Sequence, residues 1–153
     1  MEIRYQIFKE DELFIQKFTG LFLPDDYVKY SKHISEYLAS GSVKKVLIDF
    51  RDLLFGETND VMPPALKENV DKMVAFRKKI NNREHTGKKV KIVIWVDKPL
   101  PTVIVHLFVN KFSDSDYNYC STEAKAIEML DLKIIDKALE SKIKHLEHSF
   151  ISH

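Results

Sequence analysis

Asp49 and Asp52 are the residues of this chain best placed to do chemistry. They lie where an apolar run, VKKVLIDF (43–50), gives out, at the strand end from which open α/β sheets commonly present ligands. Two carboxylates there can move a proton or hold Mg²⁺. No phosphate-cradling glycine loop, nucleophile elbow or histidine partner accompanies them, so the plainer expectation is a pair of turn-forming aspartates and no catalytic residue. His145 and His148 share a helical face at a spacing of three, with His153 behind them. They sit at a chain end that frays, so no metal site is expected. Trp95 and Cys120 fall in strand-like runs and read as packing residues.

Gly56-Glu57-Thr58-Asn59-Asp60 precedes a helical pattern that starts at Val61. A helix amino terminus offers unpaired N–H groups that can hold an anion or a phosphorylated partner, and this makes Glu57, Thr58, Asn59 and Asp60 a candidate site. Against it stands a plain N-cap, in which Asn59 or Asp60 answers those groups itself. Glu57 and Asp60 also put negative charge where an anion would sit, and phosphorylation of Thr58 would crowd both acids. Residues 77–91 hold seven Lys or Arg and one Glu and could touch phosphates. They have no interleaved aromatics and no recognised nucleic-acid motif, so a solvated helix end and loop is expected, with no nucleic-acid partner. Val103 to Val109 (VIVHLFV) is apolar on nearly every side when helical, more than a helix lying on one sheet face needs. Ile104, Leu107, Phe108 and Phe112 are therefore the candidate face for a protein partner, a second copy or an apolar ligand, unless the C-terminal stripe covers them.

The elements that would position these residues follow from periodicity. Ile3, Tyr5 and Ile7 alternate with Glu2, Arg4 and Gln6 as in a half-buried strand over 2–8. ELFIQKF (12–18) makes the second arm of a hairpin closed by Thr19-Gly20. From Leu23 to about Ser40 the apolar spacing becomes helical, with Pro24, Asp25 and Asp26 in the first turn, and Gly41 ends it. Strands over 43–50 and 89–97 carry nearly continuous apolar runs, the mark of central strands. A helix over 61–80 lies between them, and 99–112 is read as helix despite its β-branched content. A short strand (116–120) leads to a helix capped by Ser121 or Thr122. Leu132, Ile135, Leu139, Ile143, Leu146 and Phe150 then trace one amphipathic helix. The predicted order is ββαβαβαα, an α/β mixed sheet with a domain over 1–131. The C-terminal helix over 132–153 packs on that domain or on a partner.

Composition bounds the rest. A chain of 153 residues, 44% apolar, with only four Gly and five Pro, supports one core without staples. Its net charge of +1 gives no global field for nucleic acid or an anionic membrane. The lone Cys120 fits a reducing compartment. No signal-like h-region and no run of 18 apolar residues is present, so a cytoplasmic protein without a transmembrane segment is expected.

The strings FTG (18–20), PDDYVKY (24–30), VKKVLIDFRDL (43–53), KIVIWVDKP (91–99) and YNYCSTEAKAIEML (117–130), in that order and spacing, resemble the SpoIIAA-like proteins of the STAS-type fold. The resemblance covers residues 1 to about 131 and implies a four- or five-stranded mixed sheet with helices mainly on one face. Anti-sigma-factor antagonists of this fold carry an Asp-Ser-Ser-Gly stretch whose serine a kinase phosphorylates. The matching stretch here is Glu57-Thr58-Asn59-Asp60, with Asn59 at the serine position, so the chain is closer to a divergent branch lacking that switch. That branch implies partner binding or apolar-ligand binding, with no catalytic residues and no cofactor.

Overall fold

Ile3 and Tyr5 are buried on one side of the first strand while Glu2, Arg4 and Gln6 face the other, as a period of two requires. The computed structural model describes residues 1–38, 43–56, 68, 70–75, 77–78, 90–112, 117–133 and 138–151. Strands β1 (Glu2–Phe8), β2 (Leu13–Leu21), β3 (Lys45–Leu54), β4 (Lys91–Trp95), β5 (Tyr117–Cys120) and β6 (His148–Ile151) form one mixed sheet. Their order across it is β5-β4-β3-β2-β1-β6. β2 through β5 run parallel to their neighbours, and β1 is antiparallel to both β2 and β6.

A 3-10 turn, Lys9–Asp11, links β1 to β2 and ends on Glu12 in the left-handed region at φ 51°. β2 does not close at Thr19-Gly20 as expected. Gly20 stays in the ladder opposite Leu53 at φ 89°, a conformation only glycine adopts without strain. Where Lys17 pairs with Asp49 and Thr19 with Asp52, β3 has one residue more than β2, a bulge that reverses the alternation beyond it. That is why Phe50, Leu53 and Phe55, at steps of three and two, all enter the same core.

Both faces of the sheet are clad. The crossover helices α1 (Pro24–Leu38) and α2 (Pro99–Val109), with helical residues 70–75, bury Tyr30, Ile34, Val70, Met73, Ile104 and Phe108 against Phe14, Phe18, Val46 and Ile94 on the first face. The shorter helices α3 (Glu123–Met129) and α4 (Ala138–Lys144) bury Ala126, Leu139 and Ile143 against Leu13, Ile15, Leu47, Val93 and Trp95 on the second. The expectation of helices mainly on one face is thus corrected. β3 and β4 are apolar on both sides, and each side needs a cover.

The C-terminal stripe is the other correction, because it is not one helix. α3 stops at Asp131, whose φ of 50° turns the chain so that the Leu132 N–H reaches the Ile127 carbonyl at 3.0 Å. The stripe resumes in α4, and His148–Ile151 then becomes the sixth strand, paired with β1. Leu139, Ile143 and Leu146 serve the second face, whereas Phe150 packs on Tyr30 and His33 of the first. A helical period cannot register that β1 would otherwise leave a row of unpaired N–H and C=O groups at the sheet edge. The order is therefore ββα, then β, helical residues 70–75, βαβαα and a closing β.

Candidate functional site

Asp49 and Asp52 form no shared site. Both lie inside β3, not in a turn, and the bulge between them sends them to different partners. Asp49 is fully buried. Its Oδ1 accepts the Arg51 backbone N–H at 3.1 Å and the Arg51 Nε–H at 2.9 Å, and its Oδ2 accepts from Nη2 at 2.8 Å. The same guanidinium donates from Nη1 to Glu140 Oε1 at 2.6 Å and lies 3.6 Å from the centre of the Trp95 ring. Burial alone would lower the Arg51 pKa, but the hydrogen bonds and charges of Asp49 and Glu140 outweigh it and hold the cation charged. Asp52 instead meets Lys17 at 2.6 Å near the surface, and that hydrogen bond holds its carboxyl below the usual range. A fully buried carboxylate that gives three of its lone pairs to one arginine is held away from solvent and substrate, so the pair reads as architecture.

Cys120 sits beside this cluster, and burial pushes its thiol up to about 11. At pH 8 only about one thiol in a thousand is then ionised. Labelling by 5,5′-dithiobis(2-nitrobenzoate) at that pH is expected to proceed no faster than the protein unfolds. A native-state reaction at the rate of a free thiol would contradict the packing described. Trp95 is buried as expected, but its Nε1–H is the one buried side-chain donor without a partner among the described residues. An open cleft of about 640 Å³ borders it, walled by Glu123, Glu140, Ser141, Lys144 and His145. Its acids are engaged: Glu140 pairs with Arg51, and Glu123 Oε2 accepts the Glu140 backbone N–H at 2.9 Å.

The face nominated on α2 divides. Ile104, Phe108 and Phe112 are buried in the first-face core, with Phe112 stacked on Tyr117 at 4.7 Å and Phe108 4.9 Å from Phe112. Leu107 alone of the four is exposed, one turn from exposed Val103. The correction has a simple cause, since α2 lies against β5 and the sheet covers its inner side while the C-terminal helix is on the opposite face. Glu57, Thr58, Asn59 and Asp60 lie outside the described residues, as does most of the basic stretch 77–91. Within that stretch Arg77 turns inward, donating its Nε–H to the Tyr117 hydroxyl at 3.0 Å. His145 and His148 do not share a helix: the first donates Nδ1–H to the Ser141 carbonyl at 2.8 Å, and the second stacks on Tyr5 at 5.5 Å from β6. Among the described residues no three His, Cys, Asp or Glu are gathered as a ligand set, and no helix is long and apolar enough to cross a membrane.

Two further features lie outside these clusters. One is an exposed apolar patch on the second face beyond α3 and α4. Leu21 and Leu54 are register partners there, 44% and 39% exposed. The other is an interior cavity of about 60 Å³ between the first face and its helices, bounded by Phe18, Ile94, Ile104 and Phe108. Polar groups also reach it: Gln16, Tyr27, Tyr30, Ser31, Arg77 and Tyr117. The Tyr30 hydroxyl donates to Gln16 Oε1 at 2.8 Å, and burial raises the pKa of Tyr30 well above that of a free phenol. No known protein-family model matches this chain, and no curated protein sequence matches it.

Proposed function

We propose that this chain is a non-catalytic, STAS-like cytoplasmic domain that works by protein–protein contact, with a second copy of itself as the partner most directly tested. One observation carries this: the register partners Leu21 and Leu54 leave exposed apolar surface at the ends of β2 and β3 that the described helices do not cover. Single exposed leucines are ordinary, but two of the six large exposed apolar side chains among the described residues are direct register partners here. The fully buried Asp49–Arg51 pair argues in the same direction, since its carboxylate is committed to the guanidinium and has no exposed surface. Sedimentation velocity over a range of concentrations is expected to show self-association. Leu21→Lys with Leu54→Lys should weaken it at least about tenfold, while the unfolding midpoint stays within about 0.5 kcal/mol of wild type. A monomer at every concentration would remove the homodimer.

The cavity favours a second reading, a binder of a small molecule with an apolar part. Ile104 and Phe108, nominated in the sequence as a ligand face, both line it. Its size decides the kind of occupant: an apolar cavity of about 150 Å³ admits benzene, so about 60 Å³ excludes a lipid chain unless the helices part.

A further inference from the structure

We infer that a second copy of this chain packs sheet to sheet on the open end of the second face, about a two-fold axis that crosses the strands midway between the levels of Lys17 and Thr19 on β2. This rests on the reading above that the chain meets a second copy, and it adds which face does so and in what register. Pairing and alternation line up three rows of side chains there. Ile151, Glu2, Thr19 and Asp52 are partners in turn across β6, β1, β2 and β3, and all four are exposed. The row on one side of them holds Ser149, Arg4 and Lys17, and the row on the other holds Leu21 and Leu54. Lys17 meets Asp52 at 2.6 Å, as neighbouring rows on one face should. An acidic row thus lies beside a basic one, with an apolar row beyond.

That pattern is complementary to itself. The two-fold reverses the order of the rows, so Glu2 of each copy lies over Arg4 of the other, and Asp52 comes within reach of Lys17 of the other. A partner of one charge throughout satisfies one row and repels its neighbour. A second copy satisfies both. Residues 21 and 15 of β2 are equally far from the axis, so Leu21 of one copy stands over the level of Ile15 in the other. Ile15 lies beneath α4, and α4 of each copy therefore covers the Leu21–Leu54 pair of its partner. The thickness agrees, because packed sheet faces stand about 10 Å apart and a helix is about 10 Å across. Four strands by three rows span roughly 15–20 Å each way, small for a specific interface, so micromolar association is expected.

Sedimentation velocity of the full chain and its charge-reversed variants tests this. Glu2→Lys and Arg4→Glu are each expected to weaken self-association at least about tenfold, since each reversal meets a like charge twice across the axis. An equimolar mixture of the two variants should associate within about threefold of wild type. In the mixed pair the two reversals face each other, and the unreplaced Arg4 of one copy still faces the unreplaced Glu2 of the other. Arg4→Glu gives up its bond to the Leu146 carbonyl, so Asp52→Lys and Lys17→Glu serve as an independent pair with the same logic if it fails to fold. Unchanged association in the single variants, or a mixture no stronger than either variant alone, overturns the proposal. The two levels separate cleanly. If Leu21→Lys with Leu54→Lys weakens association and the charge reversals do not, the two-fold register falls and the self-association reading stands. If the wild-type chain is monomeric up to about 1 mM, both fall.

Discussion

Replacing Arg51 by methionine is expected to destabilise the protein by about 3–5 kcal/mol, a large part of the roughly 5–15 kcal/mol that holds a typical domain folded. Among the described residues, every hydrogen bond Asp49 receives comes from Arg51, two from the guanidinium and one from the backbone, and Asp49 is fully buried. Methionine keeps the bulk of the side chain and removes the charge, so a carboxylate stays buried with only a backbone N–H. Glu140 loses its partner, and Trp95 loses the cation stacked 3.6 Å above it. Arg51→Lys should recover little, because a point charge cannot serve two oxygens of Asp49 and one of Glu140 at once. The double variant Asp49→Leu with Arg51→Met should recover much of the loss, since it leaves no unpaired charge. Urea unfolding followed through Trp95, the only tryptophan in the chain, measures all of these. A single Arg51→Met variant within about 1 kcal/mol of wild type would mean that Asp49 does not depend on Arg51 for its place in the core, contrary to the geometry.

Elements whose own residues dictate them were legible in the sequence. β1 alternates, α1 and α3 carry acids in their first turns, and β3 and β4 announce central positions by their apolar runs. What failed was whatever depends on a distant segment. The bulge in β3 exists because Phe50 and Leu53 must reach one core while β2 supplies one residue fewer. β6 exists because β1 has an open edge, and nothing in HSFI itself reveals that. The site divides in the same way. Asp49 and Arg51 stand two apart in a strand, hence on one side of it, and that spacing could have suggested an ion pair instead of a turn. Glu140, the third member, is 89 residues from Arg51 and could not have been found. The α2 segment was read as having surplus apolar surface because all-round apolarity does not say which side the sheet takes. Only Val103 and Leu107 prove to be surplus.

A chain ending at residue 131 is expected not to fold, which makes the C-terminal segment part of the core and not an appendage. Leu139, Ile143 and Leu146 are each at most 3% exposed and cover Leu13, Ile15 and Leu47, which are fully buried beneath them. Burying one such side chain is worth about 1.5–3 kcal/mol, so removing three and uncovering three costs on the order of 10 kcal/mol. That matches the entire stability of a typical domain, about 5–15 kcal/mol. The loss extends beyond apolar area. Arg4 gives up its bond to the Leu146 carbonyl, Gln6 its acceptance of the Glu147 N–H at 3.2 Å, and β1 its pairing with β6. Exposed strand edges and leucines favour aggregation, so the truncated chain should be insoluble, or soluble with collapsed amide dispersion in ¹H–¹⁵N spectra. Leu139→Ala in the full chain supplies the graded version, with an expected loss of about 2–5 kcal/mol in two-state urea unfolding. If the 1–131 chain instead unfolded cooperatively near the wild-type midpoint, α4 and β6 would be accessories to a complete domain, and the second face would need another cover in solution.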